Sequence, residues 1–175
     1  MSKQLKFREV GKPATEHDII EFERRWEMHL PLAFRQFCLT YNGGVPASEN
    51  EFYPVPERFR DFRDEYDVVI DRTPGIIVAW FLSMTKDPEP MTIEKTMQIL
   101  MGSEQLPAHR IPIADDGLGN YVMLSVDRAD FGRVYFEDHE LPQEDNSELN
   151  SQFLIAETLE EFLEGLTYDP EDAST

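Results

Sequence analysis

Positive charge is scarce in this chain, and scarcest toward its far end. Sixteen Lys and Arg stand against 35 Asp and Glu, a formal net charge of −19. From Asp127 to Thr175 there are fifteen acidic residues and two basic ones, Arg128 and Arg133, and no lysine follows Lys95. A field this negative repels nucleic acid and anionic lipid and speeds encounter with a basic partner. On composition alone it also serves solubility. Cysteine is nearly absent too: Cys38 stands alone, which rules out an internal disulfide and fits a reducing compartment. No apolar run approaches the roughly 18 residues a membrane span needs. The opening MSKQLKFREV has no apolar stretch and no small-residue cleavage site. These absences lead to the expectation of a cytoplasmic protein that engages neither nucleic acid nor membrane.

Hydrophobic residues are not lacking. They make up 41% of the 175 residues, with twelve Phe, six Tyr and two Trp, enough for one packed domain. The domain is expected over residues 15–167, with loosely ordered ends at 1–14 and 168–175. Thr15 with Asp18 three residues on approximates a capping box, and Ile19, Phe22 and Trp26 follow at helical spacing. Pro31 stops that helix and suits the start of another, in which Phe34, Phe37, Cys38 and Tyr41 share a face until Asn42, Gly43 and Gly44 end it. The pair predicts a helical hairpin. Phe52–Val55 reads as a short edge strand, and 57–67 as a short helix or an extended excursion. The run GIIVAWFLS, 75–83, predicts one central strand, and 92–101 a helix that Gly102 ends. Strands are then expected over 111–114, 121–126 and 133–140, followed by an acidic loop over 141–150. A closing amphipathic helix is expected over 154–166, with Ile155, Leu159, Phe162, Leu163 and Leu166 inward. The class is α+β: a single domain whose mainly antiparallel sheet is flanked by the hairpin, a middle helix and a C-terminal helix.

Candidate chemistry is sparse. Asp115 and Asp116, in IPIADDGLGNYVMLSVD, invite a reading as metal ligands or an acid–base pair. DDGLGN lacks the alternating oxygen ligands of a calcium loop, and Asp, Gly and Asn are what a tight turn requires, so the turn reading is preferred. In EDHE, neighbouring residues on a strand alternate faces, which makes Glu137 to Glu140 a poor convergent metal site. Cys38 lies on an apolar helix face and reads as core. There is no GxSxG elbow, P-loop or GxGxxG. The residues themselves therefore point to no catalytic, cofactor or metal site, and to a protein that is not an enzyme.

Taken together, the motifs resemble the SUKH superfamily, named in part for a yeast cell-wall regulator and best represented by bacterial immunity proteins. The resemblance rests on IIEFERRWEMHLPLAFRQFCLTYNGG (19–44), IPIADDGLGNYVMLSVD (111–127), GRVYFEDHE (132–140) and IAETLEEFLEGL, and covers most of residues 15–166. Asn120 stands where the family usually has Asp, so no carboxylate role is carried over to that position. The stretch 47–73 is the least family-like and is expected to bear on partner choice. The resemblance implies an immunity protein that binds and neutralises a cognate polymorphic toxin, a basic nuclease-type domain, by blocking it with an acidic surface. Asp115, Asp116, Glu137, Asp138, Glu140, Glu144 and Asp145 are the expected partner-binding residues. The competing reading is a non-enzymatic regulatory scaffold with several cellular partners. Oligomeric state is left open.

Overall fold

The computed structural model describes residues 4–63, 69–71, 75–85, 92–139 and 152–170. Its centre is a five-stranded antiparallel sheet in the order β11-β10-β9-β8-β7. The strands are β7 (Trp80–Phe81), β8 (Arg110–Asp115), β9 (Tyr121–Ser125), β10 (Val134–Glu137) and β11 (Gln152–Ala156). Three two-stranded ribbons accompany it. They pair β1 (Phe7–Glu9) with β2 (Val45–Pro46), β3 (Phe52–Pro54) with β6 (Gly75–Ile77), and β4 (Asp61–Arg63) with β5 (Val69–Asp71). The architecture is α+β, with α1 (Glu16–Trp26), α2 (Leu32–Thr40), α3 (Glu57–Arg60), α4 (Ile93–Gly102) and α5 (Leu159–Gly165) around the strands.

The helix starts are where short-range chemistry puts them. Thr15 Oγ1 accepts the Asp18 amide at 3.2 Å while Asp18 Oδ2 accepts the Thr15 amide at 2.7 Å, a reciprocal cap that stabilises α1 by about 1 kcal/mol. Thr92 and Thr158 cap α4 and α5 one way only, their hydroxyls accepting the amides of Lys95 and Glu161. Helix α1 ends at Glu27, whose φ of 51° reverses the chain toward Pro31. Glu23 fixes that reversal. Its Oε1 accepts the Leu30 amide at 2.8 Å and its Oε2 accepts Arg35 Nη1 at 2.7 Å, so one carboxylate binds both ends of the connection to α2.

Asn42, Gly43 and Gly44 form the second joint. Asn42 is fully buried, and its Nδ2 donates to Lys12 O at 2.8 Å and Thr85 Oγ1 at 2.7 Å. Its Oδ1 accepts the Met84 amide at 2.9 Å, so one side chain ties three separate segments. Gly44, at φ 124°, exchanges backbone hydrogen bonds with Phe81 at 3.0 and 2.8 Å. A Cβ on Gly44 would stand 2.3 Å from Glu9 O, closer than any side chain tolerates.

The core lies between the sheet and α1, α2 and α5. Phe34 and Phe37 from α2 and Leu159 and Leu163 from α5 meet Phe81 and Ile113. Val122, Leu124, Val134, Phe136 and Phe153 form one side of the sheet, with the Phe136 and Phe153 rings edge to face at 5.6 Å. Cys38 belongs to this core, where burial pushes its thiol far up and leaves it protonated.

Three expectations are corrected. The run 75–83 is not one strand: β6 and β7 lie in different sheets, and Val78 and Ala79 bridge them by donating to Glu51 O and Asp115 O. Residues 154–166 are not one helix: Ile155 sits in β11, Thr158 caps α5, and the helix is short. Residues 4–14 are not loose, because Leu5 and Ala14 are buried, β1 pairs with β2, and the Ala14 amide donates to Cys38 O at 2.9 Å. The excursion 57–67 turns out to hold α3 and then β4. The expected loop 141–150 lies outside the described residues.

Candidate functional site

The turn between β8 and β9 decides the question of the paired carboxylates. Asp115 is buried at the end of β8, and its Oδ1 accepts the Gly117 amide at 2.5 Å. Burial raises its pKa, the Gly117 N–H opposes the rise, and neighbouring Asp116 adds to it. Asp116 Oδ1 accepts the amides of Leu118 at 2.8 Å and Asn120 at 3.1 Å, while Asn120 Nδ2 donates to Asp116 Oδ2 at 2.7 Å. Gly117 and Gly119 take φ of 82° and 102°, which glycine adopts without strain. Both carboxylates are therefore engaged in the turn itself.

Asn120 carries the turn across to the end of β10. Its Oδ1 accepts the His139 amide at 3.1 Å and lies 2.6 Å from His139 Nδ1. A side chain that donates to Asp116 and accepts from His139 needs both a donor and an acceptor, which the Asn120 amide has; an ionised carboxylate has nothing to donate. His139 then lies against Gly119, its ring about 3.5 Å from where a Cβ would be.

Register brings a second set together. Asp115, Tyr121, Glu137 and Gln152 oppose one another across β8, β9, β10 and β11, so Asp115, Tyr121 and Glu137 form one row on one face. Helix α4 closes over this row and leaves an open pocket of about 220 Å³. Ile99 and Leu100 form its apolar wall, Tyr121 and Glu137 its sheet wall, and Gln105, Gly119 and His139 its rim. Glu137 is 4% exposed. Burial raises the Tyr121 pKa, and the charges on Asp115 and Asp116 raise it further, so the potential over the row is negative.

At the far end of the same strands lies a closed polar cluster. Asp130 accepts hydrogen bonds from Ser125 Oγ, from Tyr135 Oη at 2.5 Å and from Arg110 Nη2 at 2.7 Å, and the Arg110 guanidinium stacks 4.2 Å over the Tyr135 ring. Burial alone would raise the Asp130 pKa, but the hydrogen bonds from Ser125 and Tyr135 and the charge of Arg110 outweigh it and hold the carboxyl below its ordinary value. The stability this contributes is present above the unfolded pKa of about 4 and is lost as pH falls through the lower folded value. Asp130→Asn is therefore expected to cost roughly 2 kcal/mol at neutral pH and less at pH ~3. Urea melts of both proteins at the two pH values measure that gap.

Of the expected partner-binding residues, Asp115 and Glu137 share the row, Asp116 serves the turn, and Asp138 is half-buried beside it. Glu140, Glu144 and Asp145 lie outside the described residues. Tyr121, Ile99 and His139 were not foreseen as pocket residues. The pairing of Glu137 with Tyr121 is the signal that would have found them. Among the described residues, no group of three or more His, Cys, Asp or Glu could hold a metal ion, and no helix is long and apolar enough to cross a membrane.

The joints at Glu23, Asn42–Gly44 and 115–120 are the segments in which the family-like motifs lie. The model of the SMI1/KNR4 family (SUKH-1) matches residues 13–165. The chain belongs to the SUKH superfamily. It is also similar to an uncharacterised protein derived from the SPbeta prophage of Bacillus subtilis (strain 168), YokK, at 37% identity over 169 residues, which cover 91% of this chain and 78% of that one. In this SUKH domain the motif residues with assigned contacts hold backbone segments together.

Proposed function

We propose that this SUKH domain is a bacterial immunity protein that binds a cognate toxin in the cytoplasm and blocks it without catalysis. One observation carries the reading: a domain of this family bears a net charge of −19. Nuclease-type toxins hold a polyanion and present basic surface to do so. A strongly acidic protein associates quickly with such a surface and competes with the nucleic acid for it. The contact residues in this reading are Asp115, Asp116, Glu137, Asp138, Glu140, Glu144 and Asp145.

Capture on the immobilised protein from lysate of the source cells, eluted with rising salt, tests this. A single basic protein encoded beside this gene, released by salt and lost when Asp138, Glu140, Glu144 and Asp145 are reversed in charge, is the expected result. Several unrelated partners, indifferent to salt, would favour a regulatory scaffold instead.

A further inference from the structure

The pocket under α4 has the features of a receptor for one side chain. Its volume, about 220 Å³, is below the roughly 300–1,000 Å³ usual for small-molecule sites. One wall is aliphatic, from Ile99 and Leu100; the other carries the Tyr121 ring and the Glu137 carboxylate. The mouth is apolar as well: Ile99 is 53% exposed, and Leu118, one residue from Gly119, is 77% exposed. We propose that this pocket receives an arginine side chain of the protein partner, its stem along Ile99 and Leu100 and its guanidinium against Glu137 and the Tyr121 ring.

Arginine fits these walls better than lysine. Its planar guanidinium stacks on an aromatic ring, donates to a carboxylate oxygen, and is more weakly hydrated than an ammonium. Burial and the charges of Asp115 and Asp116 raise the Tyr121 pKa, and those same charges favour a cation beside it. Exposed Ile99 and Leu118 would contact residues flanking that arginine, as the surround of an interface anchor does. The inference deepens the proposed interface and rests on that reading for the identity of the partner.

The test needs no toxin. The full-length protein, labelled with nitrogen-15, is titrated with N-acetyl-arginine amide and, separately, with N-acetyl-citrulline amide, its uncharged isostere. Amide shifts are expected to cluster at Leu100, Gly119, Tyr121 and His139, with a dissociation constant on the order of 1 mM for arginine. Citrulline should bind at least about tenfold more weakly, the loss expected when a charge-assisted pair is removed. Glu137→Gln should weaken the arginine response about tenfold, and Ile99→Ala, at an exposed position that leaves the fold intact, several-fold. Shifts spread over the acidic surface, equal responses to the two probes, or no response would overturn the proposal. So would an undiminished response in Ile99→Ala, which decides the matter if Glu137→Gln does not fold. A failed titration removes the pocket and leaves toxin neutralisation standing; a failed neutralisation leaves the titration standing.

Discussion

Gly44→Ala is expected to destabilise the domain by about 3–5 kcal/mol, a large share of the roughly 5–15 kcal/mol that holds a domain of this kind together. Two costs combine. At φ 124° an L residue is strained by about 1–3 kcal/mol. The added methyl would also meet Glu9 O at 2.3 Å and the Val10 Cα at 3.0 Å, both of them backbone in the segment that pairs β1 with β2. Relief requires that segment to move, and the Gly44–Phe81 hydrogen bonds would be lost with it. Gly102→Ala is the control. A Cβ there meets nothing within 4 Å at the end of α4, so alanine is expected to be neutral or stabilising by up to about 1 kcal/mol. Urea midpoints of the two variants against the parent measure the contrast. Equal stability of Gly44→Ala and the parent would mean the joint is not as tight as described.

That joint shows what sequence reading reaches and where it stops. Asn42, Gly43 and Gly44 were legible as a helix stop, because these residues tolerate left-handed backbone. That Asn42 also ties Lys12, Met84 and Thr85 together was not, since its partners are 30 to 43 residues away. Helices α1, α2 and α4 were legible from apolar spacing and caps. The run 75–83 carries no alternation, which announces burial but not which strand each part pairs with; its halves serve two sheets. In 154–166, Ile155 and Leu159 fit a helical spacing by coincidence. The Thr158 cap, read as a helix interior, was the missed signal. The candidate pocket depended on register. Asp115 and Asp116 are legible as turn residues, but the meeting of Asp115, Tyr121 and Glu137 follows only once β8, β9 and β10 are aligned.

The largest effect is expected in living cells. Neutralisation by occlusion requires a complex that outlasts the toxin's opportunity to act, which corresponds to a dissociation constant on the order of 1 nM, about −12 kcal/mol. In the proposed reading, a protein of net charge −19 would reach such affinity through fast, salt-sensitive association with a basic surface, held by a few buried anchors. Variants at the acidic surface should therefore slow association, and variants in the pocket under α4 should speed dissociation. Association is electrostatic in the proposed reading, so a toxin lacking basic surface should not be neutralised.

The most direct measurement is growth of bacteria in which a toxic domain captured on this protein is induced, with and without this chain. Growth arrest by the toxin alone, and growth at the uninduced rate when the chain is co-expressed, is the result predicted. Arrest that persists with the folded chain present in excess over the toxin would contradict it.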